Sequence, residues 1–201
     1  SEMCIRDRPD ERTQIDSPDK VSALLVNAYP KVSYAAIVNT RCDYITDFGS
    51  VYSGAQPGAL FSFMGENFLW KDVIENGNDS FENFWTGCYA AIAVSNQALV
   101  SIDELGTPVS TINQKGEALM TRAFSHFCLA SLFAQQYDES TASLYPGIPY
   151  VEKPETQPVE QYDRETVADT YRKITQDFED SYPLMTDGSI YTCLLYTSPS
   201  P

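Results

Sequence analysis

The stretch Lys115 to Asp138, KGEALMTRAFSHFCLASLFAQQYD, constrains this chain more than any other. Apolar residues fall on nearly every side of it: Leu119, Met120, Ala123, Phe124, Phe127, Cys128, Ala130, Leu132, Phe133 and Ala134. After Gly116 it contains neither Gly nor Pro. Such a run reads as a helix buried on several faces, not as a surface helix with one apolar stripe. At 1.5 Å per residue it is roughly 35 Å long, a full domain diameter. Arg122, Ser125, His126 and Gln135 interrupt it, which makes it too polar to span a bilayer. Everything else has to pack against this rod.

The flanking segments supply helices of the right kind. Ser80 or Asp79 caps a helix running to about Ile102, with Phe81, Phe84, Trp85, Cys88, Ile92, Ser95, Leu99 and Ile102 at spacings of three and four. Gly106-Thr107-Pro108 breaks it, and the central helix resumes at Ser110 or Thr111. So short a connection predicts an antiparallel pair over 80–102 and 110–137. After the proline-rich stretch Tyr145 to Pro158, with Ile148 and Tyr150 as anchors, Asp163 is expected to cap a third helix to Tyr182. Its stripe is Val167, Tyr171, Ile174, Phe178 and Tyr182, and Asp177, Glu179 and Asp180 read as its solvated face. Near the start, Ser17-Pro18-Asp19 opens a helix striped by Val21, Leu24, Leu25 and Ala28. Val32 to Val38 resumes as helix beyond Pro30.

Arg41 to Gly77 breaks the pattern. Glycines recur at 49, 54, 58, 65 and 77, aromatics are interleaved, and no period persists. A long irregular stretch inside a compact domain is uncommon and often functional. The other reading is a loop whose aromatics plug helix ends, and the residues leave both open.

Chemistry-bearing motifs are sparse. There is no G-x-S-x-G, no H-E-x-x-H and no phosphate-binding glycine loop. His126, the single histidine, lies in the most apolar helix and reads as a core histidine. Acid pairs such as Asp43 with Asp47, or Glu66 with Asp72, have the residue types of a glycosidase, but nothing singles them out among 28 acids. Arg122, set among Leu119, Met120, Ala123 and Phe124, needs a partner; a structural ion pair is the expectation. The net charge of −15 disfavours nucleic acid and anionic lipid as partners.

The two ends read differently. MCIRDR back-translates as ATG TGT ATA AGA GAC AG, and CLLYTSPSP as TGT CTC TTA TAC ACA TCT CCG AGC CCA. The two strings are reverse complements over their shared length and resemble a transposon-type sequencing adapter read from opposite strands. Residues 1–8 and 193–201 are therefore expected to be translated adapter, with the natural polypeptide spanning 9–192. Cys4 and Cys193 drop out on this reading. Cys42, Cys88 and Cys128 remain, an odd number without metal spacing, and Cys88 and Cys128 read as small buried hydrophobes.

KGEALMTRAFSHFCLASLFAQQYD followed by GIPYVEK resembles the SusD-like (RagB/SusD) outer-membrane glycan-binding lipoproteins. Gly116, Glu117, Ala118, Arg122, Ala123, Phe127 and Leu129 match that family's G-E-A-x-x-x-R-A-x-x-x-F-x-L motif. Trp85, Tyr89, Ile92 and Asn96 are similar to its W-x-x-x-Y-x-x-I-x-x-x-N helix, and Arg164, Val167 and Tyr171 to the helix after its proline-rich loop. The resemblance implies a mostly α fold of tetratricopeptide-like antiparallel helix pairs with long irregular loops, here its N-terminal part over 9–192. It implies a non-enzymatic protein without cofactor or metal. Its partners would be an oligosaccharide or polysaccharide and a SusC-like TonB-dependent transporter. It would sit on the outer face of the outer membrane, held by a lipid anchor absent from this chain. A tetratricopeptide-type interaction scaffold without a sugar ligand is the alternative.

On that reading the glycan would touch the stretch Asp43 to Asn78, which combines aromatics, carboxylates and turn glycines away from the helical stripes. Trp70 is the expected stacking platform and Tyr52 a second. Asp43, Asp72 and Asn67 are the expected hydroxyl partners. Trp85, on a core stripe, is set aside. Trp70 packing inside, as the cover of the helix pair, stays open.

Overall fold

The computed structural model describes residues 15–44, 59–73, 77, 80–155 and 161–185. Among them run α1 (Pro18–Leu25), α2 (Ala35–Asn39), α3 (Ala59–Phe68), α4 (Phe81–Glu104), α5 (Ile112–Phe133) and α6 (Val167–Ser181). Short 3-10 turns occupy Val109–Thr111 and Tyr182–Leu184. The fold is helical, as expected. Outside the helices, an isolated antiparallel bridge joins Pro146 to Thr166. The terminal segments 1–8 and 193–201 lie outside the described residues.

The expected pair forms. Trp85 meets Phe133, Ser95 bonds Thr121 at 2.9 Å, and Asp103 faces Lys115. The partners run in opposite order, so α4 and α5 are antiparallel. The same holds for α5 and α6, where Arg122 meets Asp177 and Phe127 meets Tyr171. The rod is thus sandwiched, with α1 also against it. Tyr29 donates to Glu117 Oε1 at 2.6 Å, and Gln114 donates to Ser22 Oγ at 3.1 Å. Two apolar cores result. One gathers Phe63, Phe84, Cys88, Ile92, Leu129 and Ile148; the other gathers Val21, Leu25, Ile102 and Ala118. Burying each such aliphatic or aromatic side chain stabilises by about 1.5–3 kcal/mol.

Two glycines are required by these approaches. A Cβ on Gly116 would lie 2.9 Å from Met185 Cγ and 3.1 Å from the Ser181 carbonyl, so glycine lets the chain after α6 cross α5 there without displacing either. A Cβ on Gly147 would lie 2.9 Å from the Thr166 carbonyl and collide with Thr170 Oγ1. Gly147 instead donates its N–H to Glu165 O at 2.6 Å, pinning the extended segment to the start of α6.

Several expectations are corrected. The rod ends at Phe133, not at Asp138; beyond it the backbone turns extended, and Tyr137 swings to the Tyr171 ring at 5.3 Å. Phe124 and Phe127 are 47% and 42% exposed, because the inner face of α5 is taken by Gln114, Thr121, Arg122, Ser125 and His126. Thr166, not Asp163, caps α6: its Oγ1 accepts from Asp169 N at 3.1 Å and donates back to Asp169 Oδ2 at 2.7 Å. This reciprocal cap satisfies the free Asp169 N–H at the helix start. The buried seam of α6 is Val167, Thr170, Ile174, Asp177 and Ser181, while Tyr182 is exposed. Asp177 therefore does not belong to a solvated face. Finally, the stretch 41–77 is not wholly irregular, since α3 forms inside it. Among its described side chains, Phe63 and Asn67, one turn apart, are the buried ones. With a polar residue on the seam, no apolar period survives in the sequence.

Candidate functional site

α3 ends in a doubly bonded C-terminal turn. Lys71 N–H bonds Glu66 O at 2.9 Å and Trp70 N–H bonds Asn67 O at 3.2 Å, which places Trp70 at the position where helices adopt the left-handed conformation. Its φ is +55°. α4 ends in the same way, with Gly106 at the equivalent position and φ +79°. Glycine takes that conformation without a Cβ clash, whereas a bulky residue there costs about 1–2 kcal/mol. Trp70 is nonetheless 71% exposed. It does not close over the helix pair, so the packed-inside alternative is not what the structure shows.

Arg41 supports one side of this ring. Its Cζ lies 4.6 Å from the Trp70 ring centroid and 5.4 Å from that of Phe81. Its Nε donates to Asn67 Oδ1 at 2.6 Å. Asn67 is fully buried, and its Nδ2 donates to Ile37 O at 2.9 Å and to Thr40 Oγ1. The amide of Asn67 is spent on joining α2 to α3, so it acts behind the surface by holding Arg41 and not as a hydroxyl partner. Asp43 and Asp72 are exposed, each two residues from a member of the Arg41–Trp70 contact. Tyr52 lies outside the described residues. Arg41 was not anticipated; an arginine two residues before Asp43 has no local signature, and only the approach of α2 to α3 puts it on Trp70.

A second concave region lies beside α4. A cleft of about 450 Å³ is lined by Trp85, Thr86, Tyr89, Ala90 and Ala93 on one side, and by Pro149, Val151, Lys153, Glu155 and Tyr162 on the other. Trp85, set aside as core, is half-buried and forms part of this wall.

The wall from Pro149 to Lys153 is held by a buried polar network. Tyr89 donates to Pro149 O at 2.8 Å. Asn96 Nδ2 donates to Val151 O at 2.9 Å, and Asn96 Oδ1 accepts from Arg122 Nη1 at 3.0 Å. Arg122 makes a two-pronged pair with Asp177, at 2.7 and 2.8 Å, and Tyr150 donates to the same carboxylate at 2.6 Å. Burial alone would pull the Arg122 guanidinium down; the Asp177 carboxylate outweighs it and raises the group. The structural ion pair expected for Arg122 is thus present.

His126 completes the network. Its Nδ1 faces the Arg122 carbonyl at 2.9 Å and its Nε2 faces the Val151 N–H at 3.1 Å. A carbonyl only accepts and an N–H only donates, so the ring must be neutral with its proton on Nδ1. Burial holds it there, pushing its pKa down to about 3. The ring stacks on Tyr150 at 3.9 Å. It is the core histidine expected. Burial likewise pushes the Cys88 thiol up to about 12 and Cys128 up to about 11, which leaves both protonated at neutral pH.

Against known proteins, a SusD-like family model, described as "Starch-binding associating with outer membrane", matches residues 6–200. The chain belongs to the SusD-like family. Among solved structures it is similar to a SusD superfamily protein from Bacteroides thetaiotaomicron VPI-5482, at 20% identity and a TM-score of 0.60. That superposition covers 84% of this chain and 37% of the other, so this chain spans well under half the length of that protein. No curated protein matches it. No helix among the described residues is long and apolar enough to cross a membrane.

Proposed function

We propose that this chain captures glycan at the outer face of a bacterial outer membrane, in a lipid-anchored protein that passes oligosaccharide to a SusC-like TonB-dependent transporter. Family membership supports the coarse reading. The observation that carries the site is Trp70, a large ring kept in a strained turn and turned to solvent, where glycine would fit without cost. A side chain retained against backbone strain points to a use for the side chain. Sugar rings present a C–H face that stacks on an indole, and Asp43, Asp72 and the Arg41 guanidinium stand within two residues of that contact to meet hydroxyls.

Replacing Trp70 by glycine separates a binding role from a structural one. The strain relieved is about 1–2 kcal/mol, against roughly 0.5–1 kcal/mol for the lost contact with Arg41. Trp70→Gly should therefore melt no lower than the parent, yet lose at least tenfold in affinity for a glycan panel that includes soluble starch. Unchanged affinity would remove Trp70 as the platform.

The scaffold reading has its own support in Phe127 and Tyr137, both exposed and against Tyr171, and in Phe124, exposed one turn before Phe127 on α5. Gene neighbourhood separates the two: adjacent transporter and glycosidase genes accompany glycan capture, and their absence favours the scaffold.

A further inference from the structure

The cleft beside α4 plays no part in the Trp70 platform. At about 450 Å³ it falls within the ~300–1,000 Å³ of small-ligand sites. We propose that this cleft is a second carbohydrate subsite, which takes a neutral sugar unit of an oligosaccharide between Trp85 and Tyr89 on α4 and the Pro149–Glu155 wall. The proposal rests on the glycan-binding reading above.

Three observations carry it. The first is the lining. Trp85 and Tyr89, with ring centroids 4.9 Å apart and inclined at 52°, both line the cleft. Beside them on α4, Thr86, Ala90 and Ala93 are exposed, and the two alanines contribute to the floor of the cleft. Aromatic walls around a shallow apolar floor suit the C–H face of a sugar. The second is the rim. Lys153 and Glu155 contribute one charge of each sign, with donors from one and acceptors from the other. That balance selects for hydroxyls over a net charge, and a chain of net charge −15 repels polyanions at longer range.

The third is rigidity. The opposing wall is bonded at Val151 N by His126 and at Val151 O by Asn96, and the Tyr89 hydroxyl ties Pro149 O directly to α4. Both walls are set before any ligand arrives, which removes an ordering cost from binding. The cleft also adjoins the platform. Arg41 lies over both Trp70 and Phe81, and Phe81 and Trp85 stand one turn apart on α4, about 6 Å along its axis, both against Phe133.

The chain contains two tryptophans, one at each place, so fluorescence can read them separately. In Trp70→Phe the signal comes from Trp85 alone, and in Trp85→Phe from Trp70 alone. Each variant is titrated with linear gluco-, xylo-, manno- and arabino-oligosaccharides, with oligogalacturonate as the anionic comparison. The expected result is a saturable change in Trp70→Phe with at least one neutral series, weakened tenfold or more by adding Ala93→Arg. Ala93 is an exposed helix position, so this blocking change tests the cleft without disturbing the core. A saturable change in Trp85→Phe with silence in Trp70→Phe overturns the subsite and leaves the platform standing. The reverse supports the subsite and removes the platform. Silence in both overturns both. Binding of oligogalacturonate alone at Trp85 overturns the assignment to neutral sugars.

Discussion

At the scale of single residues, the buried groups around Arg122 make the sharpest predictions. Arg122 and Asp177 are each about nine-tenths buried at the side chain, and each has its polar atoms matched. Removing one partner strands the other charge. Asp177→Ala is expected to cost about 3–5 kcal/mol, read by urea denaturation. The paired change Arg122→Met with Asp177→Leu should cost less than Asp177→Ala alone, because no charge is left buried. His126 gives a pH signature of definite sign. Its folded pKa, about 3, lies below the ordinary 6.5, so the folded chain binds fewer protons between those values. Its contribution to stability is complete above pH 6.5 and is lost as pH falls toward 3. The slope approaches about 1.4 kcal/mol per pH unit per proton. Between pH 6.5 and 5, before most carboxylates titrate, urea midpoints should fall with pH in the parent and stay flat in His126→Leu.

At the scale of elements, helix ends and crossings decide what the stripes leave open. Ser80 caps α4, accepting from Asn83 N at 3.1 Å, and that start was legible because an N-cap serine is a local signal. The start of α6 was misplaced by three residues, since Asp163 and Thr166 both qualify as caps in isolation. The choice falls to Gly147 and Tyr145, which bond Glu165 and Val167 on either side of Thr166, whose backbone is extended. Gly147 is therefore the residue to perturb. Gly147→Ala has to relieve contacts with both the Thr166 carbonyl and the Thr170 side chain, and such overpacking costs about 1–3 kcal/mol. A thermal melt should show that loss, whereas alanine at Gly65, with nothing within 4 Å of the added carbon, should show none.

At the scale of the whole molecule, α5 enters both cores, as α4 does, and also packs against α1 and α6: Ala118 belongs to one core, Leu129 and Ala130 to the other. Its amides should be the last to exchange in a hydrogen-exchange experiment, with α1 opening earlier; early exchange in α5 would contradict its central place. That centrality was readable from the sequence alone, as were the helical class, the antiparallel α4–α5 pair and a structural partner for Arg122. Periodicity and turn residues are local properties, and a long apolar run with no breaks has few folded solutions. Other features were decided only by tertiary contact. Asp177 is buried because Arg122, 55 residues away, needs it. Asn67 is buried because Ile37, 30 residues away, offers a carbonyl. Trp70 faces solvent because α3 ends beneath it and Arg41 occupies its other side. Polar groups enter a core only with a partner, and a partner distant in the chain leaves no period for a sequence to display.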